Sequence, residues 1–234
     1  MANVGDLDRR YYPDYEDEHA RFDRVVRRYL REGMMVLDAG AGRGVRYPND
    51  YARIARRVVG ADLNPAVGRN ANLTDAVVAD LAALPFHDGT FDLAYSKYVF
   101  EHLDRPVHVM GELRRVLAAG SHLLVHTPNR WHYVALAATV TPESFHRWFN
   151  ARRGREAADT FPTRYRVNDR RTIERMAAMT GFRVTALDLF ETKPDYLFFS
   201  RLLYRAGIAY ERTVSHWDAL AGLRVQLIGD LEAV

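Results

Sequence analysis

The residues best equipped for chemistry in this chain of 234 residues stand at the ends of short apolar runs. In Val36-Leu37-Asp38-Ala39-Gly40-Ala41-Gly42-Arg43-Gly44 an acid closes such a run, and three glycines alternate behind it. Glycines at alternate positions let the backbone approach a ligand with no side chain between them. A second acid, Asp62, closes Val58-Val59-Gly60-Ala61, 24 residues after Asp38, and a third, Asp80, closes Val77-Val78-Ala79. An acid at a strand tip can accept hydrogen bonds from ribose hydroxyls. The third glycine, Gly44, comes one residue too early for the G-x-G-x-x-G turn that seats a dinucleotide pyrophosphate, which counts against a nicotinamide oxidoreductase. Acid–base candidates are His102, His126, His132 and His146, because imidazole exchanges protons near neutral pH.

A G-x-G-x-G turn after an acid resembles the first motif of the class I S-adenosylmethionine-dependent methyltransferases, where the loop wraps a cofactor that has no phosphate. The later pieces resemble that family in order over residues 34–129: Asp62-Leu63-Asn64-Pro65, Asp80-Leu81-Ala82-Ala83-Leu84-Pro85-Phe86, Asp88-Gly89-Thr90-Phe91-Asp92, and Phe100-Glu101-His102-Leu103. The likeness is to the type 11 branch, with a sugar O-methyltransferase as one reading. It implies that Asp62 meets the ribose and that Asp80 meets the adenine amino group while the next backbone amide, at Leu81, meets a ring nitrogen. Asp38 would orient the loop and the cofactor's amino group, and Arg43 would pair with its carboxylate. Gly40, Ala41, Gly42, Leu63, Ser96 and Lys97 complete the expected cofactor site.

These residues need a scaffold. Strands and helices alternating at these intervals indicate a parallel sheet covered on both faces. The resemblance implies an α/β, Rossmann-like sheet of seven strands in the order 3-2-1-4-5-7-6, the last strand antiparallel, with a lid insertion after strand 5. We expect a single domain: an N-terminal helical arm (1–32), a cofactor-binding core (33–127), an acceptor lid (128–168) and the rest of the sheet (169–234). Apolar spacing predicts an amphipathic helix over 14–31, preceded by Arg10-Tyr11-Tyr12-Pro13 either folded over the cofactor mouth or frayed. Further helices are expected near 49–57, over Val107 to Ala118 with Gly120 ending it, and from Asp169 to Thr180-Gly181. The fifth strand is expected over His122 to Thr127 and the sixth over Phe182 to Leu189. Two helices broken near Gly207 and a closing strand from Leu223 to Gly229 follow.

The acceptor is read from the segment after Pro128. Asn129, Trp131, Tyr133, Trp148, Arg164 and Tyr165 combine flat aromatic faces with polar groups, a mixture suited to a small or oligomeric polyhydroxylated acceptor such as a carbohydrate. With His102, His132 or His146 as base, the predicted reaction is O-methylation. The alternative is O- or C-methylation of a quinone or lipid precursor, for which Tyr196, Leu197, Phe198, Leu202 and Leu203 offer an apolar stripe; the same stripe would serve a homodimer. Ser96-Lys97-Tyr98-Val99 stands where amino-methylating nucleic-acid enzymes resemble one another in an Asn/Asp-Pro-Pro-aromatic motif, and the net charge is only +3, so nucleic acid is not expected as partner. The chain has no cysteine, which removes disulfides, thiolate metal sites and a cysteine nucleophile. Magnesium stays open without a recognised motif. No run approaches the roughly 20 apolar residues of a membrane span, and the expected compartment is the cytoplasm. Of the 33 lysines and arginines, only Lys97 and Lys193 are lysine.

Overall fold

Met35-Val36-Leu37 enters the first strand because an apolar run bounded by turns buries both faces best as a central parallel strand. The computed structural model describes residues 4–45, 47–140 and 163–234. Its strands are β1 (Met35–Ala39), β2 (Arg57–Asp62), β3 (Asp75–Val78), β4 (Phe91–Lys97), β5 (Leu117–Pro128), β6 (Phe182–Phe190) and β7 (Gln226–Ala233). They form one seven-stranded sheet in the order β3-β2-β1-β4-β5-β7-β6. The first five run parallel, and β7 lies antiparallel between β5 and β6. Both the expected order and the antiparallel closing strand hold.

Side chains alternate across the sheet, and this parity decides what each residue can reach. Leu37, Ala94, Leu123 and Leu231 face one layer, packed with Met110 and Leu113 of α3 (Pro106–Val116) and Ile173 of α5 (Arg170–Met179). Val36, Val58, Leu93 and Leu124 face the other, packed against Phe22 and Val26 of α2 (Glu18–Tyr29). Two residues beyond Val36, and four beyond Val58 and Leu93, the same parity turns Asp38, Asp62 and Lys97 to the α2 side. Ser96 turns the opposite way.

Several local expectations are corrected. The helix near 49–57 is a single 3₁₀ turn, Tyr51–Arg53, because Arg57 already begins β2 by pairing with Met35. The helix expected to run to Ala118 stops at Val116. Leu117 pairs with Phe91 instead, and Gly120 (φ +79°) lies within β5 where the register shifts, not at a helix end. The predicted pair of late helices is a 3₁₀ turn (Asp195–Leu197), a continuous α6 (Arg201–His216) and another 3₁₀ turn (Asp218–Leu223). Gly207 does not break α6; a Cβ there would stand 2.5 Å from Pro194 Cβ, so the glycine permits close packing. The closing strand begins three residues later than expected, at Gln226. Asp169 does start a helix, through a capping box with Thr172.

At the N-terminus α1 (Gly5–Tyr11) docks on α6. Leu7 packs with Tyr204 and Ile208, while Asp6 receives both guanidinium nitrogens of Arg201. Tyr12 packs there too and donates to Glu211, so this arm lies on α6, with α2 beside the strand tips. α4 (Tyr133–Val140) opens the segment after β5. His146 and Trp148 lie outside the described residues. Among those described, no helix is long and apolar enough to cross a membrane.

Candidate functional site

Strand order reverses between β1 and β4, and in an open parallel sheet that is where a crevice forms beyond the carboxyl ends. The loop leaving β1 is built to fill it. Gly40 (φ +85°) donates to Ala61 O at 2.8 Å, and a Cβ on it would stand 2.2 Å from Val99 Cγ2. Only glycine satisfies both demands. Gly42 (φ +50°) donates to Asp62 Oδ2 at 2.8 Å, and a Cβ there would meet nothing within 4 Å. Asn70 Nδ2 holds the loop from behind by donating to Ala41 O at 2.9 Å, and Asn72 Nδ2 donates to Gly44 O at 3.0 Å.

The acids occupy different surroundings. Asp38 is buried and accepts the Tyr95 hydroxyl at 2.9 Å. Burial raises its pKa to about 7 against the opposing Tyr95 hydrogen bond, with the charge of Asp62 adding to the rise. Asp62 is half-buried; besides Gly42 it accepts the Asn64 N–H at 2.7 Å on Oδ1. A carboxylate offers about four acceptor positions, so two stay open for a ligand. Asp80 is exposed, accepts the Ala82 N–H at 2.9 Å and lies 3.5 Å from Arg105. Leu63 and Val78 are exposed beside these acids, whereas Leu81 is buried.

A cavity of about 660 Å³ opens between this loop and α2. Asp38, Gly40, Ala41 and Lys97 line it from the sheet side. Asp17, which caps α2, and His19 and Asp23 within it form the opposite wall with Tyr47 and Asn49 of the loop. Those wall residues, and the Asn70 and Asn72 clamps, are missing from the sequence expectations. The one readable hint is the pair of asparagines following the second strand.

The remaining expected site residues separate into distinct places. Ser96 is fully buried behind the site and donates to Ala39 O at 2.8 Å, fastening β4 to β1. Arg43 is half-buried in the glycine loop. His102 ends a 3₁₀ turn (Phe100–His102), with Nε2 3.9 Å from Glu101 Oε1. Glu101 ties the returning chain to this turn: its carbonyl accepts the N–H groups of Arg164 at 2.6 Å and Tyr165 at 3.1 Å. Arg164 Nε then reaches Asp104 at 3.0 Å. Arg164 and Tyr165 are thereby brought beside His102.

Asn129 is buried with its amide donating to Gly222 O at 2.7 Å and Arg224 O at 2.8 Å, so its side chain fastens β5 to the chain before β7. Trp131 is half exposed beneath the Arg130 guanidinium. Tyr133 packs edge-on against Tyr210. His132 is buried; Nδ1 accepts the Val134 N–H at 3.3 Å, and Nε2 lies 3.4 Å from Glu191 Oε2 without hydrogen-bond geometry. Burial pushes both groups toward neutrality, His132 down to about 3 and Glu191 up to about 8. The sequence reading missed Glu191, which stands far along the chain. His126 is fully buried among Phe22, Tyr98 and Phe190, and burial holds its pKa well below the ordinary value. Among the described residues no group of three histidines, cysteines or carboxylates is placed to hold a metal ion.

Comparison with known proteins converges on the same region. Residues 37–125 match the family described as a methyltransferase domain. A probable S-adenosylmethionine-dependent methyltransferase of Mycolicibacterium smegmatis is 38% identical over 103 residues, which are 42% of this chain and 39% of that protein. A ubiquinone biosynthesis O-methyltransferase of Hahella chejuensis is 28% identical over 134 residues, 53% of this chain and 56% of that protein. This chain thus spans about two-fifths to somewhat over half of those two relatives' lengths. Geranyl diphosphate C-methyltransferase of Streptomyces coelicolor, solved with Mg2+, geranyl diphosphate and S-adenosyl-L-homocysteine, superimposes with a TM-score of 0.58 at 17% identity, covering 93% of this chain and 79% of that one. At that identity the likeness speaks for the fold.

Proposed function

We propose that this chain, whose methyltransferase domain belongs to the class I S-adenosylmethionine-dependent family, transfers a methyl group from that donor to a hydroxyl of a small acceptor. The observation that carries the proposal is the pair of carboxylates, Asp38 and Asp62, turned to one face at neighbouring strand tips around a glycine bend. The residues fit the cofactor. Asp62 keeps acceptor positions for ribose hydroxyls, and the exposed Leu63 and Val78 supply apolar surface for a base beside Asp80. The space beyond Gly42 admits a ligand against the backbone, and the cavity holding Asp38 takes the amino-acid half, its ammonium toward that carboxylate.

When bound, the cofactor supplies a methyl group on a positively charged sulfur, an activated leaving group. The protein's own part is alignment and exclusion of water, an effect worth up to roughly 7–11 kcal/mol in well-oriented systems. A hydroxyl must also surrender its proton, for which a positioned base contributes about 10²–10⁴-fold. A polyhydroxylated acceptor, carbohydrate included, is our first reading. Trp131 offers it an exposed ring, and Arg164 and Tyr165 add polar groups beside His102. A second reading, a quinol or lipid precursor, is favoured by the name of the Hahella relative. Purified protein incubated with methyl-labelled donor, a panel of sugars and a panel of quinol precursors tests both readings by mass spectrometry. Label on a sugar hydroxyl supports the first and label on a quinol the second. Absence of demethylated donor in the presence of every extract fraction from the source cells refutes methyl transfer.

A further inference from the structure

We propose that Lys97, at the carboxyl end of β4, is the base that takes the acceptor's proton. The inference rests on the methyl-transfer reading above and assigns its proton step to an amine instead of a histidine.

Position comes first. Lys97 is the last residue of β4, shares the α2-side face with Asp38 and lines the same cavity. Its ammonium sits 4.3 Å from the Tyr47 ring centroid and 5.8 Å from that of Phe22. Among the described residues it forms no ion pair and no hydrogen bond, and these rings are its close contacts. The rings attract the ammonium, but with no carboxylate in contact its burial still favours the neutral amine or a ligand that meets the charge.

Residue choice points the same way. The chain's cations are arginines except for Lys97 and Lys193. Lys193 is an ordinary tether, 3.3 Å from Asp8 and 3.6 Å from Asp195. At position 97 an arginine would supply the same charge but would never release its proton. Burial pulls the Lys97 pKa down to about 8, against the attraction of Asp17 at the cap of α2, Glu18 and Asp23 within it, and Asp38 of β1. His19 on α2 and His126 on β5 are the neighbouring groups whose protonation would lower it further. Tyr98, next in the chain, and Tyr47 are the facing phenols.

Two of the candidate histidines, His126 and His132, are less well placed. His126 is sealed behind Phe22 and Tyr98, and both nitrogens of His132 face groups of the protein itself. Lys97 also gains from the donor's charge. A positive sulfur in the same cavity opposes protonation of Lys97, so the share of neutral amine increases when donor is bound. In the transfer, the acceptor oxygen uses a lone pair to bond the methyl carbon while the carbon–sulfur bond breaks and its electron pair stays on sulfur. The acceptor's O–H bond breaks, and its proton passes to Lys97 Nζ. The amine is then an ammonium facing a neutral sulfur, and it returns the proton to solvent.

Two lysines make the test direct. Protein labelled with ¹³C at the lysine ε-carbon gives two signals, assigned with Lys193→Arg. Each is titrated from about pH 6 to about pH 11 in the free protein, with S-adenosylhomocysteine, and with S-adenosylmethionine. We expect a Lys97 midpoint near 8 in the free protein. With S-adenosylmethionine the midpoint should lie about one pH unit or more below that with S-adenosylhomocysteine, the two ligands differing by a methyl group and one charge. Equal midpoints in the two complexes overturn the proposal. So does a midpoint that rises toward about 10.4 with S-adenosylhomocysteine, which would make Lys97 a partner of the cofactor carboxylate. Lys97→Met should bind S-adenosylhomocysteine within about threefold of the parent, and a loss of about tenfold or more also overturns the assignment. If neither ligand binds the parent protein, the methyl-transfer reading itself falls.

Discussion

Replacing Asp62 by alanine removes a side chain that joins the glycine bend to the second strand tip. Two intramolecular hydrogen bonds go with it, from Gly42 N at 2.8 Å and Asn64 N at 2.7 Å. The two proposed ribose hydrogen bonds go as well. A hydrogen bond to a charged group is worth about 1.5–3 kcal/mol, and the half-buried position of Asp62 argues for the lower end. At that lower end the two ribose bonds together amount to about 3 kcal/mol of binding, a rise in Kd of roughly a hundredfold. Titration calorimetry with S-adenosylhomocysteine measures it. Asn70→Ala is the control: it frees the same loop from its other side, at Ala41 O and Gly42 O, and leaves the acid in place. That variant should lose less than about fivefold. An Asp62→Ala affinity within about twofold of the parent refutes the placement of the ribose. A control that loses as much as Asp62→Ala reduces the carboxylate to a loop clamp.

Other consequences follow from the surroundings of individual groups. With its pKa near 7, Asp38 ionises as pH rises through neutrality, so S-adenosylhomocysteine should bind more tightly at pH 8 than at pH 6, with proton release seen as a buffer-dependent calorimetric heat. Asp38→Asn should bind weakly and without that pH dependence; an unchanged pH profile would remove Asp38 from the ammonium. Ser96→Ala should cost about 1–2 kcal/mol in urea unfolding through the lost bond to Ala39 O and leave ligand affinity nearly unchanged, whereas a selective binding loss would return Ser96 to the cofactor site. Glu191, held up to about 8, keeps a proton in the folded state that the unfolded chain has lost, so its contribution to stability falls as pH rises. His132, held down to about 3, works oppositely only below its ordinary 6.5, leaving Glu191 as the contributor of this pair from about 6.5 to about 8. Over that window Glu191→Gln should gain on the parent by up to about 1.4 kcal/mol per pH unit in urea unfolding, and a constant difference would contradict a neutral buried pair.

The parts of this chain that follow from short-range rules were legible, and those set by distant partners were not. β1, its glycine bend and Asp62 announce themselves because an apolar run, an acid and alternating glycines leave few other conformations. Asp169 is equally readable, since a capping box is built within four residues. The stretch after Gly44 looks helical at Tyr51, Ala52, Ile54 and Ala55, but Asn72, from beyond the second strand, accepts the Asn49 N–H and donates to Gly44 O. That tether and the start of β2 at Arg57 leave room for one turn. Val116-Leu117-Ala118-Ala119 suits helix or strand alike, and pairing with Phe91 decides it. His132 was visible as a histidine, but Glu191 is brought to it only by the sheet. Parity was available in the sequence and unused: counting by twos from Leu93 puts Tyr95 and Lys97 on one face and leaves Ser96 on the other.

Titration calorimetry of the purified chain with S-adenosylmethionine, its demethylated product and a nicotinamide dinucleotide bears most directly on the whole account. Saturable one-to-one binding of the first two, with no heat from the third, is what the glycine bend and its flanking carboxylates predict. Uptake of the dinucleotide with indifference to both sulfur compounds would contradict it.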